Sequence, residues 1–471
     1  MLPESILKET TYGASFMRGR KFLFLILLAT QVTYALESVP KGEYHERRVK
    51  LAAKLHGGAA VIFAAHEPPM EYQDYRQDED FYYLTGSNEP GGALLVIGDG
   101  PATTTRLGTA VPAHTYREIL FLPTRNLVLE KYTGEKTDAA TPGATKLLAV
   151  NEVMPLSELP SVLAAFVSED PRRARDLWAQ QDVDAASAAL RFTSAILGND
   201  SSFATHDVVS LTTQLRMVKS PAEIELIRKA TDASIASQLA GMRAIKPGVR
   251  ERTIAGIEVS TMMAEGCERA SYPSIVGSGI NSTVLHYASN ENLMEKSSVV
   301  VIDAACEYSM YASDLTRTMP VDGHFTARQK EIYNIVLGAQ QAAREAFVAG
   351  KSKMGSVVQR GPDAGADLLD KVAFDYINTH GKDLHGQPLG QYFLHGLGHS
   401  VGIDVHDPDD YNQPFGVGSV FTIEPGIYIP EEKIGVRIED TFYVNEQGKL
   451  IDFAKKLPHT PEEVEAAMHS K

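Results

Sequence analysis

The stretch VVVIDAACEYSMYASDLTRTMP, residues 299–320, decides the fold of the second half of the chain. It begins with an apolar, β-branched run of the kind that forms a buried strand. A turn at Tyr308 and Ser309 would bring the chain back as a second strand, with Asp303 directly opposite Asp314. Like charges that face each other destabilise a sheet, and apolar neighbours add a desolvation cost. The stretch therefore predicts a β-hairpin in which two carboxylates face each other at a cost in stability.

A second pair of carboxylates follows the same pattern nearer the C-terminus. Residues 420–424, VFTIE, again form an apolar strand, and the turn is expected at residues 430–433, PEEK. With that turn Glu424 faces Glu439, although one β-bulge in either hairpin would shift the facing pairs. Two such pairs indicate a site for two divalent cations, because four carboxylates carry the charge that two divalent cations balance.

A histidine is the expected additional ligand, and the segment His395-Gly396-Leu397-Gly398-His399 offers one at each end. Its glycines argue against a helix and indicate backbone that approaches another group closely. The residue pattern leaves open which histidine binds. A site of mostly oxygen ligands with one imidazole suits Mn²⁺ or Co²⁺ better than a thiolate-rich Zn²⁺ site would, and Zn²⁺ stays compatible.

The pattern of helices and strands divides the chain into two domains. From about Lys41 to Phe203, amphipathic stretches alternate with short apolar runs, which is typical of an α/β domain. The segment Ser220-Pro221-Ala222-Glu223 then supplies an N-cap, a first-turn proline and a capping-box glutamate. The strands and helices of the second half lie in separate blocks, which indicates an α+β domain. We predict an N-terminal α/β domain over residues 36–205 and a C-terminal α+β domain over residues 206–471.

Composition limits the classes of function. The chain has 471 residues, of which 44% are hydrophobic, enough for two substantial cores. Its formal net charge of −15 and its pI near 5.4 argue against a nucleic-acid partner, whose phosphates require clustered Lys and Arg. The chain has two cysteines, Cys267 and Cys306, which do not define a disulfide framework, and we expect two buried free thiols.

The N-terminus has the order of a secretory signal. Three basic residues between positions 18 and 21 precede the apolar run Phe22–Ala29, and small or polar residues then lead to Ala35. The run is shorter than the roughly 20 apolar residues that cross a bilayer easily. We therefore expect a signal peptide over residues 1–35 and export to a bacterial periplasm or beyond. An uncleaved membrane anchor is the alternative.

These features coincide with the motifs of a known family. In the second half the motifs are SYPSIVGSG at 271–279 continuing to His286 and Tyr287, Asp303 with Asp314, residues 395–406, EPGIY at 424–428 and RIED at 437–440. In the first half, YRQDEDFYYLTG at 75–86 resembles the signature of the same family's N-terminal domain. The chain is similar to the aminopeptidase P, prolidase and creatinase family, and it most resembles the Xaa-Pro aminopeptidases. The resemblance implies a pita-bread catalytic domain preceded by a smaller, creatinase-like α/β domain.

The resemblance also implies a role for particular residues. It implies two divalent metal ions, expected to be Mn²⁺ with Co²⁺ or Zn²⁺ as alternatives, and it selects His399 over His395 as the histidine ligand. The implied metal ligands are Asp303, Asp314, His399, Glu424 and Glu439. The residues implied to line the substrate pocket are His286, His395, His406, Tyr428 and Arg437. Family members often form dimers or tetramers, so a homo-oligomer is expected by analogy.

The implied activity is hydrolysis of the peptide bond between an N-terminal residue and a following proline. A hydroxide that bridges the two metals would attack the carbonyl before proline. Glu424 is expected to pass a proton to the leaving proline nitrogen, and His406 to stabilise the oxyanion, with His286 as a further catalytic candidate. The nearest alternative is an Xaa-Pro dipeptidase, and a more distant one is an inactive binding protein with the same fold. The segment Pro408–Tyr411 departs from the Gly-rich loop of many relatives, which leaves the subsite preferences open.

Overall fold

The computed structural model describes residues 37–68, 74–104, 110–111, 113–169, 177–180, 206–363, 365 and 367–470. The predicted signal peptide over residues 1–35 lies outside these residues. Within the described part of the chain, no helix combines the length and the apolar character that crossing a membrane requires.

In the N-terminal half, strands are interspersed with helices. The helices are α1 (Lys41–Lys54), α2 (Glu79–Thr85), α3 (Glu130–Thr133), α4 (Ala144–Leu148) and α5 (Leu159–Glu169), with a 3-10 helix at Leu156–Glu158. The strands are β1 (Ala59–Phe63), β2 (Ala93–Ile97), β3 (Thr103–Thr104), β4 (Ala110–Val111), β5 (Arg117–Leu122), β6 (Glu152–Pro155), β7 (Leu177–Ala179) and β8 (His206–Asp207). Six of them form one mixed sheet in the order β6-β5-β2-β1-β7-β8. The α/β prediction for this half is confirmed.

The segment 75–86 contains α2 and is largely buried. Asp78 caps the helix, since its side chain accepts a hydrogen bond from the Phe81 backbone N–H at 2.8 Å. Gly86 ends the helix in the left-handed conformation, with φ at +63°. A Cβ at Gly86 would lie 2.4 Å from the ring of Tyr44, so only glycine fits there. These contacts pack α2 against α1.

The C-terminal half begins with long capped helices. Its helices are α6 (Val209–Arg216), α7 (Pro221–Ala244), α8 (Glu251–Ala264), α9 (Ala327–Ala346), α10 (Leu369–His380) and α11 (Pro461–His469). Short 3-10 helices lie at Gly279–Thr283, Val357–Gln359, Leu389–Tyr392 and Pro430–Glu432. Ser220 caps α7, and Glu223 completes the capping box as the sequence predicts.

The strands of this half form small antiparallel sheets on which the helices pack. They are β9 (Arg269–Ala270), β10 (Ile275–Ser278), β11 (Val299–Asp303), β12 (Cys306–Tyr308), β13 (Tyr311–Ala312), β14 (Thr316–Pro320), β15 (Val420–Ile423), β16 (Gly426–Ile429), β17 (Ile434–Arg437), β18 (Asp440–Val444) and β19 (Leu450–Asp452). The sheet orders are β10-β11-β14, β13-β12-β9, β15-β18-β19 and β16-β17. Ile254 of α8, Val336 of α9 and Val300 of β11 share one apolar core, and the α+β prediction is confirmed.

The first hairpin has a different register from the predicted one. Its turn lies one residue further along, at Ser309 and Met310, which both have positive φ angles of 52° and 70°. As a result Asp303 pairs with Thr316 and not with Asp314. The predicted partner is thus wrong by two residues, and a two-residue shift leaves every side chain on its original face. The two carboxylates therefore still meet on one side of the hairpin.

The second hairpin has the predicted register. Ile423 pairs with Asp440 in one ladder, and Gly426 pairs with Arg437 in the next, so the two ladders share one alignment. Glu424 and Glu439 lie opposite each other in the short gap between these ladders. In this gap the Glu424 N–H donates to the Leu397 carbonyl and the Glu439 N–H to the Thr316 carbonyl, and Pro425 has no backbone N–H to donate, so the ladder is interrupted.

The expectation of two free thiols is wrong. Cys267, which follows α8, and Cys306 of β12 form a disulfide, with their Cα atoms 6.1 Å apart. Pairing of β9 with β12 places Ala270 opposite Cys306 and so brings the two cysteines together. This proximity depends on a strand pairing between distant segments, and the spacing of the cysteines alone does not contain it.

Candidate metal centre and active site

Most of the predicted site residues converge on one cavity of about 290 Å³. The cavity is lined by all five predicted metal ligands and by His286, His395, His406 and Arg437, together with Leu285, Gly396, Gly398 and Tyr411. Tyr428 is only 1% exposed and does not line the cavity, and its hydroxyl contacts the cavity residues His395 and Arg437 from behind. Tyr411, which also lines the cavity, belongs to the segment Pro408–Tyr411, whose sequence differs from that of many relatives.

The carboxylates form overlapping clusters of possible ligand atoms. Atoms of Asp303, Asp314 and Glu439 lie within 4.8 Å of one another, and so do atoms of His399, Glu424 and Glu439. Burial, followed by repulsion from the neighbouring carboxylates, raises the pKa of Glu439 well above its ordinary value. Because Glu439 belongs to both clusters, the donor set suits two adjacent cations.

Local positive charge is too small to balance these carboxylates. Arg437 is the arginine in contact, with Nη2 at 2.6 Å from Asp303 Oδ2. The nearby imidazole of His399 lies 3.4 Å from both Asp314 Oδ2 and Glu424 Oε1. Four carboxylates against one guanidinium and one imidazole leave a buried negative charge, which divalent cations would neutralise. The residues present therefore fit the metal pair that the sequence predicts.

Backbone hydrogen bonds place His399 beside Glu424. The Thr422 N–H donates to the His399 carbonyl at 2.9 Å, and the Glu424 N–H donates to the Leu397 carbonyl at 2.8 Å. A Cβ at Gly398 would lie 2.2 Å from the Thr422 carbonyl oxygen, so glycine permits this close approach. Of the two glycines noted in the sequence, Gly398 thus permits the contact between the histidine segment and β15, whereas a Cβ at Gly396 would meet no atom within 4 Å.

The tautomer of His399 follows from its second nitrogen. Nδ1 lies 3.1 Å from the Ser400 carbonyl oxygen, to which it can only donate, and this leaves Nε2 facing Asp314 and Glu424. Burial opposes a charged ring, but these two carboxylates outweigh it and raise the pKa of His399 to about 9. Nε2 is therefore the atom available to a cation that displaces the proton.

Arg437, Tyr428 and His395 form a hydrogen-bonded chain behind the cavity. Arg437 Nη1 donates to the Tyr428 hydroxyl oxygen at 2.9 Å. His395 Nδ1 donates to the Gly396 carbonyl at 2.8 Å, which leaves Nε2 of the neutral ring to accept the hydrogen of the Tyr428 hydroxyl at 2.7 Å. Burial and the charge of Arg437 lower the pKa of His395 to about 3, so this ring is neutral. Tyr428 orients two cavity residues.

His286 and His406 are the exposed histidines of the cavity. The ring of His406 lies 4.0 Å from the ring of His399 between centroids. Burial and the neighbouring His399 lower the pKa of His406, which favours its neutral form. A neutral imidazole can donate one hydrogen bond to a substrate oxygen.

Two side chains to which the sequence assigns no role hold the carboxylates. The Tyr272 hydroxyl lies 2.6 Å from Oδ1 of both Asp303 and Asp314. The Thr316 hydroxyl donates to Glu439 Oε2 at 2.6 Å. Tyr272 lies inside the SYPSIVGSG motif, and Thr316 is the true partner of Asp303, so a correct register would have identified it.

A further group of possible ligands lies away from the cavity and is neutralised by arginines. Atoms of Asp440, Asp452 and His459 lie within 4.8 Å of one another, beside a larger cavity of about 700 Å³ between α9 and β19. Arg317 lies 2.6 Å from Asp440, and Arg344 lies 3.5 Å from Asp452. Burial opposes ionisation, but Arg317 and His459 hold the pKa of Asp440 well below its usual range. This group has no charge deficit for a cation to fill.

Comparisons with known proteins agree with this geometry. Residues 44–174 match the family model for the aminopeptidase P N-terminal domain, and residues 225–446 match that for metallopeptidase family M24. The Xaa-Pro aminopeptidase of Escherichia coli is 33% identical over 92% of this chain and 99% of its own length. The Xaa-Pro aminopeptidase of Haemophilus influenzae is 32% identical over 88% of this chain and 95% of its own length. The structure of E. coli aminopeptidase P with the inhibitor Pro-Leu has a TM-score of 0.74 and 28% identity, over 92% of this chain and 99% of that one.

The fold and the site define a metallopeptidase with a pita-bread catalytic domain and a separate N-terminal α/β domain. Identity above 30% to relatives matched over nearly their full length narrows this class further. The chain belongs to the aminopeptidase P family.

Proposed function

We propose that the protein is an Xaa-Pro aminopeptidase, which releases the N-terminal residue from peptides that have proline at the second position. The observation that carries this proposal is the cluster of four carboxylates and His399 beside a cavity that also contains His286 and His406. The E. coli and H. influenzae relatives have this name, and this chain matches them over nearly their whole length. A structural relative is E. coli aminopeptidase P in complex with substrate.

Two divalent metal ions are the proposed cofactors, with Mn²⁺ as the proposed identity and Co²⁺ or Zn²⁺ as alternatives. The oxygen-rich donor set with one imidazole supports this choice. When bound, the ions activate water for attack and polarise the scissile carbonyl. The residues proposed to hold them are Asp303, Asp314, His399, Glu424 and Glu439.

Glu424 is the proposed proton carrier. It lines the cavity, and burial raises the pKa of Glu424 to about 7 against the opposing effect of His399. In the metal-free site a carboxyl in this environment takes up a proton readily. Glu424 accepts the proton of the attacking water and delivers it to the proline nitrogen, which must be protonated to leave.

The cavity histidines are proposed to bind the substrate. His406 donates a hydrogen bond to the oxyanion that forms at the carbonyl before proline, and His286 contributes a second polar contact. Proline has no N–H for the enzyme to recognise. Recognition then depends on the shape of the proline ring. The imidazole of His395 can contact that ring at no cost of desolvating a charge, because it is neutral. Arg437 and Tyr428 hold His395 in this state.

We also propose that the protein is exported and forms a homo-oligomer. The disulfide Cys267–Cys306 supports export, because structural disulfides persist in oxidising compartments such as the periplasm. The oligomer rests on family analogy alone. Mass spectrometry of the mature N-terminus in a periplasmic fraction tests export, and a chain retained in the cytoplasm with residues 1–35 attached contradicts it.

The activity is tested with three peptides after removal of bound metal and restoration of Mn²⁺. The peptides are Xaa-Pro, Xaa-Pro-Yaa-Yaa and a matched Xaa-Ala-Yaa-Yaa, followed together by mass spectrometry. Metal-dependent release of Xaa from the longer proline peptide supports the proposal. Cleavage of the dipeptide alone identifies an Xaa-Pro dipeptidase. No cleavage with any divalent ion rejects catalysis and leaves a binding protein.

A further inference from the structure

The loop that carries His406 has no regular secondary structure. Residues 401–411, here called the His406 loop, form neither helix nor strand. Only a few backbone bonds tie it to neighbouring strands, among them the Ala312 N–H to the Gly402 carbonyl at 2.8 Å. A loop without its own ladder depends on side-chain contacts for a fixed position.

Asp407 provides the main anchor of this loop. Its carboxylate is wholly buried and accepts from the Asp404 backbone N–H at 3.2 Å, which closes the loop around His406. Outside the loop it contacts Arg216 Nη2 at 2.7 Å and Lys219 Nζ at 3.0 Å. The position of His406 therefore depends on where Arg216 and Lys219 are held.

Arg216 is held in turn by the N-terminal domain. Its Nη1 lies 2.8 Å from Asp80 Oδ1 of α2, and the Thr212 hydroxyl donates to Asp80 Oδ2 at 2.7 Å. Asp80 and Asp407 together balance Arg216 and Lys219, so this buried network carries no net charge. A charge-balanced, hydrogen-bonded network is rigid, and the loss of one member leaves a buried charged partner unpaired.

Arg76 makes a second connection from the same segment to the same loop. Its Nη2 donates to the Ile403 carbonyl at 2.7 Å, and its Nε donates to Glu307 Oε2 at 2.8 Å. It also pairs with Glu79 on α2. Glu307 lies on β12, in the hairpin that holds Asp303 and Asp314. Arg76 thus contacts both the His406 loop and the metal-ligand hairpin.

We propose that Arg76 and Asp80 are positioning residues, which fix the His406 loop relative to the carboxylate cluster. This inference rests on the proposed function for its effect on catalysis. Arg76 holds the loop before His406, and Asp80 holds it after His406 through Arg216 and Asp407. Misplacement of a catalytic group by about 1 Å can cost about a hundredfold in rate. The motif at residues 75–86, which contains both residues, would thereby support the active site of the same chain.

A double-mutant cycle tests this role in the purified protein. Arg76→Gln should lower kcat for Xaa-Pro-Yaa-Yaa by about tenfold to a hundredfold, with Mn²⁺ affinity unchanged, and Arg76→Lys should restore part of the rate. In the His406→Ala background the same Arg76→Gln change should cost less than about twofold, because the group it positions is gone. Arg117→Gln is the matched control, since Arg117 forms a two-bonded ion pair with Glu152 in the same domain, at 2.7 Å for each bond.

Hydrogen–deuterium exchange of residues 401–411 gives a readout that does not depend on activity. We expect exchange in this peptide to accelerate at least about tenfold in Arg76→Gln and in Asp80→Asn, and to stay unchanged in Arg117→Gln. Unchanged exchange in both variants overturns the inference, whatever the enzyme hydrolyses. The inference is also overturned if Arg76→Gln lowers kcat by the same factor in the His406→Ala background as in wild type. Faster exchange in a protein that cleaves no Xaa-Pro peptide would instead reject the proposed function and keep the positioning contact.

Discussion

Replacing Glu439 with glutamine should stabilise the metal-free protein and remove its response to metal. The substitution keeps the size of the side chain and deletes one of the clustered charges. Atoms of Glu439 lie within 4.8 Å of Asp303 and Asp314, and two unit charges at that separation repel by about 3 kcal/mol at an effective dielectric constant near 20.

The direction of the pH dependence follows from proton linkage. Burial and like charges raise the pKa of Glu439 above 4.5, so ionisation of this side chain costs the folded protein stability. The cost is absent at low pH, where the carboxyl is protonated in both states, and it grows as pH rises. Glutamine does not titrate, so the advantage of Glu439→Gln in the metal-free protein should grow as the pH rises from 5 to 7.

The neighbouring residue gives a control of opposite sign. Asp440 is paired with Arg317 at 2.6 Å and with His459 at 2.9 Å, so Asp440→Asn leaves a buried guanidinium without its charge partner. This change should destabilise the metal-free protein by about 3 kcal/mol. Two carboxylates that are adjacent in sequence should therefore respond in opposite directions when each is made an amide.

Urea denaturation of the metal-free protein at pH 5 and pH 7 measures both variants, and calorimetric titration with Mn²⁺ measures binding. Wild type should gain stability with the logarithm of the Mn²⁺ concentration once that concentration exceeds Kd, and Glu439→Gln should gain much less. The reasoning is refuted if Glu439→Gln destabilises the metal-free protein, if its effect is the same at both pH values, or if Mn²⁺ stabilises the variant as much as wild type.

Two further predictions concern buried groups outside the cavity. Burial raises the pKa of Glu258 to about 8, so its ionisation should cost wild type stability as pH rises from about 4.5 to 8, and Glu258→Gln should show a smaller loss over this range in urea denaturation. Equal pH slopes for the two proteins would contradict this. Replacing both Cys267 and Cys306 with serine should cost up to about 4 kcal/mol, because their separation of 39 residues sets the loop that the bond closes. Thermal unfolding compares wild type with the double serine variant, and separately compares wild type with and without reductant. An unchanged Tm in both comparisons would show that the bond does not constrain the unfolded chain.

The carboxylate pairs could be found from sequence because each is a local anomaly. A charged residue inside an apolar, β-branched run conflicts with the burial that the run predicts, and a cation resolves the conflict. The alignment of the second hairpin was predictable too, since Pro430 and the charged residues after it mark the turn. The first hairpin was displaced because its turn uses two consecutive residues with positive φ, which sequence rarely identifies when neither is glycine.

Contacts between distant segments were not predictable in the same way. The buried place of Tyr428 depends on hydrogen bonds that it shares with Arg437 and His395. Likewise, the link from Arg76 to the Ile403 carbonyl spans 327 positions of sequence. Hydrophobic periodicity carries no information about which polar atoms meet across such a distance.

The sequence by itself determined the strands, the capped helices and the need for divalent cations, because hydrophobic period, capping residues and opposed charges act over a few residues. Tertiary structure alone decided that Cys267 meets Cys306 and that α2 contacts Arg216 behind the His406 loop. Each of these depends on the packing of segments far apart in the chain, where burial selects the neighbours and local pattern does not.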